Sequence, residues 1–221
     1  MRVSIFLIAV LSLCWNVNYA QNAKYTKAME KAIASLQTAE NVEGLMAAAN
    51  SFERIASAEK EEWLPLYYQS YAHMMAALQF LGKGEKSECM AYVKKADEKI
   101  ELAKKVAPQE SEIYALQAFI FQGYIWEDPQ TRGAEYTPMV MQAVETAIAL
   151  NPKNPRGFYV KGQQLFHMPA FIGGGPEAAK PFLDKAMEKY ENFEPASSLH
   201  PHWGKKNLME LMELDKGGEN K

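Results

Sequence analysis

The residues of this chain that could do chemistry are four histidines, scattered carboxylates, two cysteines and one triple glycine. His200 and His202 bracket Pro201 with Trp203 adjacent, and His167 stands in a separate stretch. Zinc usually takes at least three protein ligands at fixed geometry, so two neighbouring imidazoles predict no metal site. Pro201, His202 and Trp203 are read instead as the segment that docks the last helix, with Trp203 as its anchor. Gly173, Gly174 and Gly175 precede Pro176 and could offer backbone amides to an anion. No Gly-Lys-Ser/Thr follows them and no strand feeds them, so the triplet reads as a hairpin turn. No His-Glu-x-x-His, no Gly-x-Ser-x-Gly and no paired cysteine and histidine occurs. Glu59, Glu61 and Glu62 form a solvated run. The chain is therefore expected to be non-catalytic and to carry no cofactor. An enzyme built on His167, His200 or His202 is the last of the readings.

Residues 1–20, MRVSIFLIAVLSLCWNVNYA, set Arg2 before an apolar run from Val3 to Trp15 and a polar end at Ala20. That is the pattern of a secretory signal peptide cleaved between Ala20 and Gln21. The run is shorter than the about 20 residues a membrane-spanning helix needs. Leu13 stands before Cys14 where bacterial lipoproteins usually carry a small residue. Cleavage leaves 23 basic and 27 acidic residues and one cysteine. Cys89 shares an apolar stripe with Tyr92, Val93 and Ala96 and reads as a buried, inert thiol. Export without disulfides points to the periplasm. A mildly acidic chain with scattered lysines argues against nucleic acid, and no later segment is long enough to span a bilayer.

The elements that must position any site are helices, because apolar residues recur at helical spacing and no strand-like alternation of useful length appears. Ala28, Met29, Ala32, Ile33 and Leu36 give a first helix over Tyr25 to Ala39. Leu45, Met46, Ala49, Phe52 and Ile55 give a second over Val42 to Glu59, with Asn41 able to cap it. Glu62 to Leu81 is apolar around much of its circumference and should be central. Lys86 to Ala107 and Glu112 to Trp126 follow. Glu127 to Thr137 has proline, glycine and charge but no apolar period, and is expected to be the longest loop, with Pro138 starting the next helix. Ala179, Phe182, Leu183, Ala186, Met187 and Tyr190 mark one face of a helix after the glycine turn, in which Pro181 sits awkwardly. A last helix over His202 to Leu214 should cover the exposed end of the array. Residues 21–214 thus form one domain, and residues 215–221 are expected to be a disordered tail.

The packing positions have a familiar arrangement. Phe158, Gly162 and Leu165 share a face, and Gly162 has no side chain to hold a neighbouring helix away. In AKKVAP and AIALNP, five residues separate a packed alanine (Ala103, Ala147) from a stop proline (Pro108, Pro152). These features resemble the tetratricopeptide repeat, a helix-turn-helix unit of about 34 residues. Pro108, Pro152 and Pro195 stand 44 and 43 residues apart, longer than the family period. The resemblance covers most of residues 42–195 and implies an all-α fold of about nine helices, antiparallel hairpins stacked as a short tetratricopeptide-like α-solenoid.

The family shares no single activity, so function is read from the concave face. The register of the resemblance places Tyr68, Tyr71, Phe119, Gln122, Tyr159, Gln163 and Phe166 there. Aromatic and amide side chains suit an extended peptide or a partner helix. The leading expectation is an exported adaptor that binds a protein or peptide in this groove within an envelope assembly. The alternative is a small-ligand carrier resembling the periplasmic tetratricopeptide partners of solute transporters, its cavity walled by the Trp63 to Leu81 and Ile113 to Trp126 helices.

Overall fold

The computed structural model describes residues 23–218, with side chains through Leu214. The predicted signal peptide and its cleavage point near Ala20 lie outside the described residues. The helices are α1 (23–37), α2 (Val42–Ala58), α3 (Leu64–Gly82), α4 (Lys86–Val106), α5 (Ser111–Ile125), α6 (Pro129–Leu150), α7 (Pro155–His167), α8 (Pro176–Glu191) and α9 (Lys205–Gly218). A single 3-10 turn, Ala170–Ile172, lies between α7 and α8. No strand occurs among the described residues, and the fold is an all-α helical repeat.

Local chemistry sets the ends of these helices. The Asn41 side chain accepts from the Gly44 amide at 2.9 Å and starts α2. Asn154 does the same for Arg156 at 3.0 Å and starts α7. The alanine-to-proline endings have a direct cause. The amide just past each helix bonds back to the packed alanine, Ala107 to Ala103 at 2.9 Å and Asn151 to Ala147 at 3.0 Å, and the chain leaves before the proline.

Hairpins α3/α4, α5/α6 and α7/α8 stack in order, with α5 touching both α3 and α7 in an inner layer. The stacking depends on absent side chains. A Cβ on Gly162 would run into Leu183 of α8, and one on Gly123 would sit 2.9 Å from a Val93 methyl of α4. The inner helices α3 and α5 are buried around most of their circumference, whereas α4 and α8 bury one stripe each.

Two stretches depart from expectation, and the position of Pro181 is fixed. Residues 129–137, predicted as loop, are the first turns of α6, and Pro138 lies inside that helix rather than at its start. Asp128 caps it by accepting from the Thr131 amide at 3.2 Å, and Pro129 occupies a first-turn position where its missing N–H costs nothing. Tyr136 then stacks on Tyr124 of α5 with ring centroids 4.6 Å apart, an anchor invisible to any apolar period. Pro181 lies inside α8, which starts at Pro176. The last helix begins at Lys205 rather than His202 and runs to Gly218, so residues 215–218 of the expected tail are helical and 219–221 lie outside the described residues.

Candidate functional site

The inner layer presents an aromatic face, and the chain covers part of that face itself. Residues 193–204, leaving α8, cross α3, α5 and α7. The Tyr68 hydroxyl donates to the Leu199 carbonyl at 2.8 Å, and the Trp203 indole N–H donates to the Tyr67 hydroxyl at 2.6 Å. The Tyr190 hydroxyl donates to the Trp203 carbonyl at 3.0 Å. The Trp203 ring stacks on Tyr71 and Phe119, centroids 5.7 and 5.8 Å away, and meets the edge of Tyr159 at 6.3 Å. Gly204 follows at φ +106°, where a Cβ would collide with the Tyr190 hydroxyl.

Beneath this segment lies an ion pair that the sequence reading missed. Arg156 is 0% exposed. It donates to the Glu112 carboxylate at 2.8 Å and, through its other terminal nitrogen, to the Pro201 carbonyl. Its guanidinium lies over the rings of Phe193 and Trp203 at 5.0 and 5.6 Å. Burial pushes the Glu112 carboxyl up to about 7, against the opposing pull of Arg156. A signal for this pair does exist in the sequence. Glu112 and Arg156 are 44 residues apart, the same separation as Pro108 and Pro152. They are therefore equivalent positions in consecutive units, carrying opposite charges in otherwise apolar stripes.

Of the residues placed on the concave face, Tyr68, Phe119, Gln122 and Tyr159 are buried and Tyr71, Gln163 and Phe166 are half-buried. The structure gathers Tyr68, Tyr71, Phe119 and Tyr159 around residues 199–203. Gln122 instead ties α5 to α7 by donating to the Val160 carbonyl at 3.1 Å. Gln163 and Phe166 lie further along α7, with Phe166 against the His167 ring. A protein partner on this face would have to displace the chain's own segment.

The open space lies at the other end of α3. A cleft of 520 Å³ is bounded by Ile33, Leu36 and Gln37 of α1, Ala39 of the turn, Leu45 of α2, and the C-terminal pair His202 and Trp203. From α3 it takes Tyr68, Tyr71, Met75, Leu78 and Gln79, one helical face by spacing. The walls are therefore α1 to α3 and the C-terminal segment, not α3 and α5 as the carrier alternative expected; those two helices are packed together over Trp203. Gln79 donates to the Glu40 carbonyl at 3.1 Å and ties the end of α3 to the turn after α1. Tyr71 is held as a neutral phenol, its pKa pushed up to about 12 by burial. A smaller groove of 370 Å³ between α1 and α2 has Lys24, Lys31 and Arg54 on its lining but only Tyr25 as an aromatic.

The other histidines take no part in the cleft. His73 is buried on α3 beside Tyr92, and burial together with Lys95 and Lys99 lowers it to about 4. His200 contacts the Ser197 hydroxyl at 2.8 Å and the edge of Trp63, and His167 is exposed at the end of α7. Among the described residues no three His, Cys, Asp or Glu side chains come together as a bare metal site, and no helix is long and apolar enough to cross a membrane.

The chain matches no family model and no curated protein. Among solved structures it is similar to the HusA haemophore from Porphyromonas gingivalis, with a TM-score of 0.77 and 28% identity over 88% of this chain and 94% of that one. This overturns the leading expectation of a protein-binding adaptor: the chain shares nearly the whole fold of a carrier of haem, and the face meant for a partner is filled from within.

Proposed function

We propose that this protein is an exported, non-catalytic carrier of haem, which it holds in the cleft between α1, α2, α3 and the C-terminal segment. One observation carries the reading: a cleft of 520 Å³ with aromatic, aliphatic and thioether walls, in a chain similar over most of its length to a haemophore. Binding pockets for small ligands fall in the range of roughly 300 to 1,000 Å³ and pair apolar walls with a few polar groups. A tetrapyrrole is a flat aromatic ring with apolar edges and two carboxylates. Leu36, Leu45, Met75 and Leu78 match the edges, the stacked rings of Tyr71 and Trp203 offer an aromatic wall, and Gln37, Gln79 and His202 supply the polar contacts.

In this reading the tetratricopeptide-like hairpins are a scaffold. The chain works in the periplasm or beyond after its leader is removed near Ala20. The test is titration of residues 21–221 with haemin, followed by the Soret band and by native mass spectrometry. One equivalent should bind saturably. A tryptophan at Leu45, filling the cleft, should remove binding while leaving the helical signal intact. Failure of the wild-type chain to bind, or unchanged binding with the cleft filled, rejects the reading.

A further inference from the structure

The two clefts beside α1 differ in charge, and the difference bears on which part of a tetrapyrrole the protein grips. The smaller groove, between α1 and α2, carries Lys24, Lys31, Arg54 and Glu59. The larger cleft has no Lys, Arg, Asp or Glu on its lining. Glu40, next to Ala39 in the chain, is exposed and stands outside that lining.

The lining of the larger cleft also sorts by depth. Ile33, Leu36, Leu45 and Tyr68 are buried, and the one polar atom among their side chains, the Tyr68 hydroxyl, is spent on the Leu199 carbonyl. Half-buried Tyr71 stays an uncharged phenol. The amide and imidazole side chains stand further out. Gln37 and His202 are exposed, and half-buried Gln79 donates to the Glu40 carbonyl. The cleft thus has an apolar floor and a polar rim. An ionised carboxylate set against that floor would lose its water and meet no cation, a cost that nothing there offsets. At the rim it keeps its water.

Protohaem carries both its carboxylates on one edge of the ring and none on the opposite edge. Resting on the haem-carrier reading, we propose that the cleft takes tetrapyrroles by a carboxylate-free edge and leaves the carboxylates at the rim, in water. The ligand class then follows from where the carboxylates stand around the ring. Rings with one bare edge enter; rings with carboxylates on every side do not. No cationic clamp on the carboxylates takes part.

The experiment titrates the wild-type chain, residues 21–221, with haemin, haemin dimethyl ester and iron(III) uroporphyrin, all in the same dilute dimethyl sulfoxide and followed by the Soret band. The ester keeps ring and metal but removes the charge, whereas the uroporphyrin keeps both and carries carboxylates on every pyrrole. The ester should bind within about three-fold of haemin, because a solvated charge contributes little. Iron uroporphyrin should bind at least about a hundred-fold more weakly, because any edge it offers buries a carboxylate. K31S/R54S strips exposed cations from the neighbouring groove and should leave haemin within about two-fold, since salt screens charges across a helix. A larger loss on esterification would reveal a clamp on the carboxylates and overturn the proposal. A smaller gap for uroporphyrin would show that the floor accepts carboxylates and overturn it too. Loss of haemin in K31S/R54S with an unchanged melt would move the ligand to the cationic groove, with the same result. If the wild-type chain binds no haemin, the carrier reading itself falls. If it binds haemin, and the tryptophan at Leu45 blocks it, a reversal with the ester or the uroporphyrin brings down only the edge-first placement.

Discussion

The two ends of the inner face of α3 lie on one helix and have opposite fates. At the end of Tyr67, Tyr68 and Tyr71, the chain folds back and becomes core, because three of the carbonyls it brings meet donors: Leu199 meets Tyr68, Pro201 meets Arg156 and Trp203 meets Tyr190. At the end of Met75, Leu78 and Gln79, the neighbours are α1, the turn after it and Leu45 of α2; the backbone polar groups of those helices are spent on themselves, and a cleft stays open. The difference teaches that irregular backbone can seal an apolar face only where buried donors wait for it. Without them the face remains available to a ligand.

The largest way to break the sealed end is R156M, which strands the Glu112 carboxylate and the Pro201 carbonyl. It should cost about 3–5 kcal/mol in denaturant unfolding, the scale for removing one partner of a buried pair. The double variant R156M/E112L should recover much of that loss. W203A removes the ring shared by Tyr71, Phe119 and Tyr159 and should cost about 3 kcal/mol. The same change should weaken haemin, because that ring also walls the cleft. G204A forces a side chain into a left-handed position against Tyr190 and should cost about 1–3 kcal/mol, read as a lower melting temperature.

The ion pair also leaves a signature in pH. The Glu112 carboxyl is raised from 4.5 to about 7 in the folded chain. The native state therefore holds a proton that the unfolded state releases. Its contribution is full below pH 4.5 and is lost as pH rises through 7. Relative to E112Q, the wild-type chain should lose stability with rising pH across that window, and parallel curves would show that the carboxyl is not raised. The smallest effect on stability belongs to the open end. M75A, on a half-buried side chain, should change stability by no more than about 1 kcal/mol yet weaken haemin measurably. A large loss of stability there would mean that the cleft is closed core.

Much of the scaffold was legible in the residues. The stripes on α2, α4 and α8, the Asn41 cap and the close approach at Gly162 all follow from local spacing. The start of α6 was not legible, because its anchor is one aromatic, Tyr136, set against Tyr124 and Phe121 of α5, rather than a repeating stripe. The site was legible only in part. Tyr68 and Tyr71 were singled out, but as lining for a protein partner, since spacing places a residue on a helix face without saying what covers that face. Pro201, His202 and Trp203 were read together as a docking segment. Pro201 and Trp203 dock, while His202 is left exposed on the cleft.

What the sequence determined by itself is therefore what lies within a few turns of one helix: which segments are helical, which stripe each one buries, where caps and prolines end them, and how long the repeat is. Contacts at three or four residues' separation carry that information. The tertiary structure alone decided that residues 193–204 return across the inner layer. It turned the repeat-spaced Glu112 and Arg156 into an ion pair, and set His202 on the same cleft as Tyr71 and Met75. Those meetings span tens to more than a hundred residues. They depend on how the hairpins stack, a property that no local pattern in the chain encodes.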